Sequence, residues 1–383
     1  MEEQSSRIRR AGYFAFFLSG ICAISSGVVV SLLQEHYGFA YGLTGTMLSC
    51  MSIGNLLAAF LSGVLPSRIG LKATALLLAA GYCIGYGMMG AGGWVPLLIA
   101  AFFLVGLAKG SVLNVCTILV GTNAPDRPRG MNTMHSCYAF GALLCPFAVM
   151  LASRGGEALP MVVLAGAGIL LWLTFACNPF GAVGQVSRGK TDWSFFHSRK
   201  FWLLTALLFC QNAAETSVTG WLVTYFKGCG LLSAEISPYT VSLLWGATMV
   251  ARLMLAFVIP PRNPYGAMIK MGVGCTVFYI GLMLAGNQTA ALLLLLAFSL
   301  SIAGMNPTAV ACAGQMTSVT SMGVMLPAAG LGAILMPWAI GLIADRAGLH
   351  AGMAANILPC AGMLVFAVLV ARAARQEKAA PRC

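Results

Sequence analysis

Twelve stretches of about twenty residues, apolar on every side, dominate this chain and leave it few ways to fold. They run roughly over 11–33, 43–65, 71–91, 94–119, 131–152, 160–177, 201–225, 239–260, 265–286, 290–312, 320–343 and 351–372. An apolar stripe at helical spacing would mark a helix lying on a soluble core. Unbroken runs mark helices whose whole surface meets apolar surroundings. Inside a bilayer every backbone N–H and C=O must be satisfied by the protein, so only helices and closed barrels span it. Barrel strands alternate polar and apolar residues, and these runs do not. Composition agrees, since 59% hydrophobic and 8% charged residues cannot clothe a soluble protein of 383 residues. The expected fold class is an all-α membrane protein with twelve transmembrane helices.

Prolines mark many boundaries. Pro96, Pro160 and Pro238 stand where a first helical turn tolerates a missing N–H, and Pro66, Pro179 and the Pro260–Pro261 pair stand where helices stop. Pro146, Pro307, Pro327, Pro337 and Pro359 fall inside runs, where neighbouring helices can compensate for the lost hydrogen bond. The first run is too long for a signal-peptide core and lacks a clear cleavage site, so it is expected to be retained as a span.

Charge sets the orientation. With the N-terminus in the cytoplasm, 17 of the 22 basic residues fall in cytoplasmic segments, among them Arg7, Arg9, Arg10, Arg68, Lys72, Arg188, Lys190 and Arg382. Only Arg154, Lys227 and Arg346 fall in outer loops. That bias obeys the positive-inside rule and supports an even number of spans, with both termini cytoplasmic and the bacterial inner (plasma) membrane as the expected site. The net charge of +12 is therefore a topology signal, and no nucleic-acid partner is expected. The 13 cysteines lie mostly within apolar runs and form no Cys-x-x-Cys, which fits packed thiols rather than disulfides or a metal site. No Gly-rich phosphate loop, metal-spaced cluster or nucleophile turn occurs, so no cofactor, metal or enzymatic activity is expected.

An internal repeat organises the spans. Gly141-Ala-Leu-Leu-Cys-Pro146-Phe-Ala-Val149 reappears as Gly332-Ala-Ile-Leu-Met-Pro337-Trp-Ala-Ile340, an offset of 191 residues, half the chain. Asn114 and Asn306 match at nearly the same offset. Duplication with six spans per copy predicts two pseudo-symmetric six-helix bundles of like orientation. The expected domains are 1–178 and 201–383, joined by a cytoplasmic linker at 179–200.

Ionisable residues inside spans cost ~2.5–3.5 kcal/mol each at mid-bilayer, so each needs a reason. Four lie clearly within runs: Lys109, His135, Glu215 and Arg252. Counting residues places Glu215 and Arg252 within roughly 6 Å of each other in depth on successive helices. They form either a fixed structural bridge or a proton-exchanging carboxylate with its counter-ion. Burial favours a neutral carboxyl and a nearby guanidinium favours the carboxylate, and their balance decides between the two. Gln211, Glu215 and Thr219 share one helix face with Asn212 beside it, a polar stripe that suits a cavity wall or a helix–helix seam. Lys109 can reach toward Glu215, bind a solute or snorkel, and His135 can titrate, bind a hydroxyl or sit in a core. Tyr138, Trp221 and Trp245 can stack on a sugar ring or simply pack.

The chain resembles the major facilitator superfamily and, locally, its fucose–proton symporter-like family, which includes glucose symporters. The resemblance spans the chain and rests on His135…Gly141-Ala-Leu-Leu-Cys-Pro146, Glu215-Thr-Ser-Val-Thr-Gly-Trp221, Trp245-Gly246…Arg252, Asn306-Pro307 and Gly341-Leu-Ile-Ala-Asp345-Arg-Ala-Gly348. It also covers the superfamily's loop motif, present as Gly63-Val-Leu-Pro-Ser67-Arg68-Ile-Gly70-Leu-Lys72. Ser67 replaces the usual Asp, which weakens the gating latch that the motif implies. Fucose symporters carry carboxylates in spans one and four where this chain has Ser25-Ser26-Gly27 and Lys109-Gly110, which puts fucose itself in doubt.

The expected function is secondary active transport of a small polar solute, such as a sugar, by alternating access, with protons as the coupling ion and the bilayer as surroundings. A monomer is expected. Glu215, His135 and Arg252 are the proton-coupling candidates. Lys109, Asn114, His135, Tyr138, Gln211, Asn212, Trp221, Trp245 and Asn306 are the solute-binding candidates, and Gly63, Arg68, Gly70 and Lys72 form the gating motif. Proton-coupled efflux, uniport and a transporter-like membrane sensor remain as alternatives.

Overall fold

The computed structural model describes residues 2–180, 194–314 and 319–379. Residues 181–193 of the expected linker, with Arg188 and Lys190, lie outside the described residues, as does Arg382. The end of that linker is helical, because a 3-10 turn at Ser194–His197 leads into a helix that starts at Arg199.

Among the described residues there are helices and no strands, and each apolar run is mostly helical. In chain order the helices are α1 (Glu2–Tyr37), α2 (Tyr41–Val64), α3 (Leu71–Ala91), α4 (Val95–Asn123), α5 (Arg127–Ser153) and α6 (Leu159–Cys177). They continue as α7 (Arg199–Gly228), α8 (Tyr239–Leu253), α9 (Pro264–Met283), α10 (Gln288–Ala313), α11 (Val319–Ala347) and α12 (Leu349–Gln376). Several ends are set by side-chain caps. Asp126, Ser198, Asn263 and Asn287 each accept a backbone N–H from three residues on, satisfying a donor of the first turn.

Ten of these helices are long and apolar enough to cross a membrane by length and composition alone. The other two are α7, whose hydropathy is lowered by Gln211, Asn212 and Glu215, and α8, whose α-helical run is only 15 residues. The apolar run of the eighth span extends to residue 260. The α-helix does not follow it that far: α8 passes at Met254 into a π-helical turn ending at Val258, just before Pro260 and Pro261.

The chain divides into two compact units, Met1–Val186 and Ser187–Cys383. Within the first, α1 packs on α5 and α6, α2 and α3 pack on α4, and α3 packs on α6. Within the second, α7 packs on α11 and α12, α8 and α9 pack on α10, and α9 packs on α12. Each pairing recurs six helices later. The register recurs too: a Cβ at Gly141 would collide with the Phe17 carbonyl oxygen and lie 3.1 Å from the Ile21 nitrogen. At Gly332 it would collide with the Phe209 oxygen and lie 3.2 Å from the Ala213 nitrogen. The repeated glycine is thus the point where two helix backbones touch, which only hydrogen at Cα permits.

Helices α1 and α7 are the most enclosed of their units. Most of α7 is buried, including Gln211, and the apolar core of α1 is 83% buried. A helix surrounded by protein can carry polar groups that a lipid-facing one cannot. By contrast, α6 exposes Val162, Ile169 and Leu170, and α9 exposes Val273 and Val277, surfaces suited to lipid tails. In the first unit α1 is pinned to α3 by Ser19–Tyr82 (2.8 Å) and Ser25–Tyr86 (2.6 Å), and the helix loosens by one residue at Ser25.

Candidate functional site

Polar side chains of α7, α8 and α10 meet around Glu215. Gln211, one turn earlier, donates its amide N–H to the Glu215 carboxylate and accepts at its own oxygen from Asn306 Nδ2 at 2.8 Å. From α8, the Arg252 guanidinium stands 3.7 Å from Glu215 Oε1. That separation is too long for a hydrogen bond, so the pair interacts mainly through charge. The two side chains retain 35% and 23% exposure, which screens the attraction further.

What fixes Arg252 is a backbone oxygen. Its Nε donates to the Ala303 carbonyl at 3.1 Å. In an unbroken helix that carbonyl would accept from residue 307, but residue 307 is proline and has no N–H. Helix α10 opens accordingly into a turn at Ala303 and Gly304 before resuming at Met305. The bond that Pro307 cannot make is made by Arg252. The sequence marks Asn306-Pro307 as a motif without revealing the acceptor, although stepping four residues back from a mid-helix proline points to it.

The remaining candidates are scattered more widely. Asn212 is half-buried on α7, and Trp245 is buried beside Glu215 on α8. Trp221 is fully buried and donates its indole N–H to the Pro337 carbonyl at 3.1 Å, so its ring serves the α7–α11 seam and is closed to a solute in this conformation. In the first unit Lys109 and Asn114 are half-buried on α4. On α5, His135 is exposed and meets Phe16 edge-on at 5.6 Å, and Tyr138 packs on the same ring at 4.8 Å.

The loop motif has a structural duty inside the first unit. Lys72 donates to the Ala176 carbonyl at 2.7 Å and the Asn178 carbonyl at 3.2 Å, and Arg7 donates to the Cys177 carbonyl at 3.2 Å. Two cations thus close the C-terminal end of α6, where helix carbonyls lack partners and the dipole is negative. Gly70 sits at φ 82°, ψ 157° as the residue before α3, and Gly348 sits at φ 87°, ψ 158° before α12. Both end a Gly-x-x-x-x-Arg-x-Gly stretch, and both need the freedom of glycine at positive φ. Arg68 is exposed, and Gly63 has open space around it.

Residues 12–326 match the family model of the Major Facilitator Superfamily. The chain belongs to that superfamily. It is a facilitator-superfamily transporter, integral to a membrane, built as two pseudo-symmetric bundles of six helices. Among curated relatives, Protein TsgA of Escherichia coli O157:H7 is 23% identical over 275 residues, 67% of each chain. Among solved structures, a point mutant of the nucleoside transporter NupG aligns over 96% of this chain and 99% of its own, with a TM-score of 0.81 at 13% identity. A point mutant of the E. coli fucose:proton symporter FucP aligns over 94% of this chain and 98% of its own, with a TM-score of 0.64 at 14% identity. At such identities the structural likeness speaks for the fold alone.

Proposed function

We propose that this facilitator-superfamily transporter takes up a small polar, hydroxyl-bearing solute together with protons, and that Glu215 is the group that binds and releases the proton. The single observation carrying this reading is the chain of contacts Asn306–Gln211–Glu215–Arg252–Ala303, centred on α7, the most enclosed helix of its bundle. A purely structural bridge gains most from close bidentate contact, whereas this pair is loose and half-open, a geometry that lets the carboxylate be neutralised and the guanidinium swing. When Glu215 takes a proton, Arg252 keeps the Ala303 carbonyl and is not left without an acceptor. Asn306, Gln211 and Asn212 supply amides for solute hydroxyls, and within the first unit Lys109, Asn114, Tyr138 and His135 are the candidates for solute contact.

The solute class is supported by the amide-rich stripe and by relatives in fold that carry nucleosides or fucose. The membrane is the bacterial inner membrane, both termini are cytoplasmic, and the unit is a monomer. Each charge moved down 100 mV would supply about 2.3 kcal/mol to accumulation.

The test begins with a thermal-shift screen of the purified protein against sugars, nucleosides and organic acids. The stabilising compound is then followed into proteoliposomes. Glu215→Gln is expected to abolish accumulation driven by a pH gradient while leaving solute counterflow intact. Accumulation equal to wild type would remove Glu215 from the coupling step.

A further inference from the structure

Glu215 is surrounded by donors. Gln211 offers its amide N–H, Arg252 its guanidinium, and the oxygen of Gln211 is occupied by Asn306. Such neighbours suit a carboxylate but give nothing to the O–H of a carboxylic acid, which needs an acceptor of its own. On the α8 and α10 side of the carboxyl group lies a small cavity, walled by Glu215, Thr219, Trp245, Thr248, Leu244 and Phe298. It offers about 10 Å³ of room for the centre of a water-sized sphere. That is about what one water requires and far too little for a solute. Thr219, a residue 9% exposed and one helical turn after Glu215, lines this space, and its buried hydroxyl finds no protein partner. An unsatisfied buried hydroxyl beside a carboxyl group makes the cavity polar enough to be wet.

We infer that this cavity is a binding site for a single resident water, held between Thr219 and Glu215, which gives the protonated carboxyl its hydrogen-bond acceptor. A metal cation is a poor occupant, because the guanidinium of Arg252 already stands 3.7 Å from the same carboxylate. Water and a threonine hydroxyl both donate and accept. With Glu215 charged, Thr219 accepts from the water and the water donates to the carboxylate. With Glu215 neutral, the acid donates to the water, the water keeps one bond to Thr219, and nothing is stranded. Among the described residues, Arg252 on α8 and the buried Cys275 thiol on α9 also act electrostatically on the carboxylate, and both are donors. The inference rests on Glu215 being the proton-binding group proposed above.

Infrared difference spectra of the full-length protein in liposomes, taken between low and high pH without solute, test it. The carboxylic-acid C=O band lost in Glu215→Gln identifies Glu215. A water O–H band rising with it, moved to lower wavenumber in H₂¹⁸O, is the expected sign of the resident water. Thr219→Val should lose the water band and move the Glu215 C=O band to higher wavenumber, while Thr219→Ser keeps both. A Glu215 band without any isotope-sensitive water, or a water band unchanged in Thr219→Val, overturns the inference and leaves the coupling role standing. No carboxyl band assignable to Glu215 at any pH overturns the coupling role, and the inference with it.

Discussion

Arg252 shows how one side chain can serve two partners unequally, with a hydrogen bond to a backbone oxygen at 3.1 Å and a looser charge contact at 3.7 Å. Removing Arg252 alone strands both the Ala303 carbonyl and the Glu215 charge, and removing both members of the pair strands only the carbonyl. Arg252→Met is therefore expected to lower stability by about 1–2 kcal/mol, discounted for partial exposure, and the Glu215→Gln/Arg252→Met double variant to recover part of that. Thermal melting in detergent checks the order. A second contrast separates two basic residues of the loop motif. Lys72→Met, which uncaps α6, is expected to cost about 1 kcal/mol and lower the melting temperature, whereas exposed Arg68→Met should leave it nearly unchanged. The residue types at the site were legible in the sequence, because an ionisable group within an apolar run needs a reason. Their partners were less so, since Ala303 acts through its backbone and Trp221 proves to be a buried strut.

At the scale of helices, prolines and glycines decide the geometry. Pro307→Ala would restore an N–H able to claim the Ala303 carbonyl within α10 and so compete with Arg252. The expected outcome is a straighter and more stable α10 with impaired pH-driven accumulation, measured as the ratio of accumulation to counterflow in proteoliposomes. Contact glycines behave differently. Gly141→Leu and Gly332→Leu each drive a Cβ into a backbone oxygen that cannot move aside, and about 3 kcal/mol or more should be lost, seen as collapse of monodisperse yield. Gly63→Ala, which meets open space, is the matched control and should purify normally. The spans were readable because lipid admits little but apolar helix. The broken α10 and the π turn after α8 were not, because such interruptions depend on which neighbour accepts or supplies the missing hydrogen bond.

For the whole molecule, the charge bias makes a topological prediction that native cysteines can test. Cys177 ends α6 and Cys229 follows α7, and both are exposed. If the termini are cytoplasmic, a membrane-impermeant maleimide should label Cys229 in intact cells and Cys177 only after permeabilisation, read by mass spectrometry. Labelling in the reverse order would invert the assigned orientation.

Hydrophobic length, charge placement and a half-length repeat, all local or statistical properties of the chain, determined the class, the twelve spans and the duplication. A bilayer imposes the same demand on every residue that crosses it, so those properties are enough. Which oxygen receives Arg252, whether Trp221 faces a neighbour or a cavity, and what space lies beside Thr219 were decided only by tertiary packing. Those facts depend on distances between helices far apart in sequence, and at that range a shift of about one ångström separates a hydrogen bond from an open pocket.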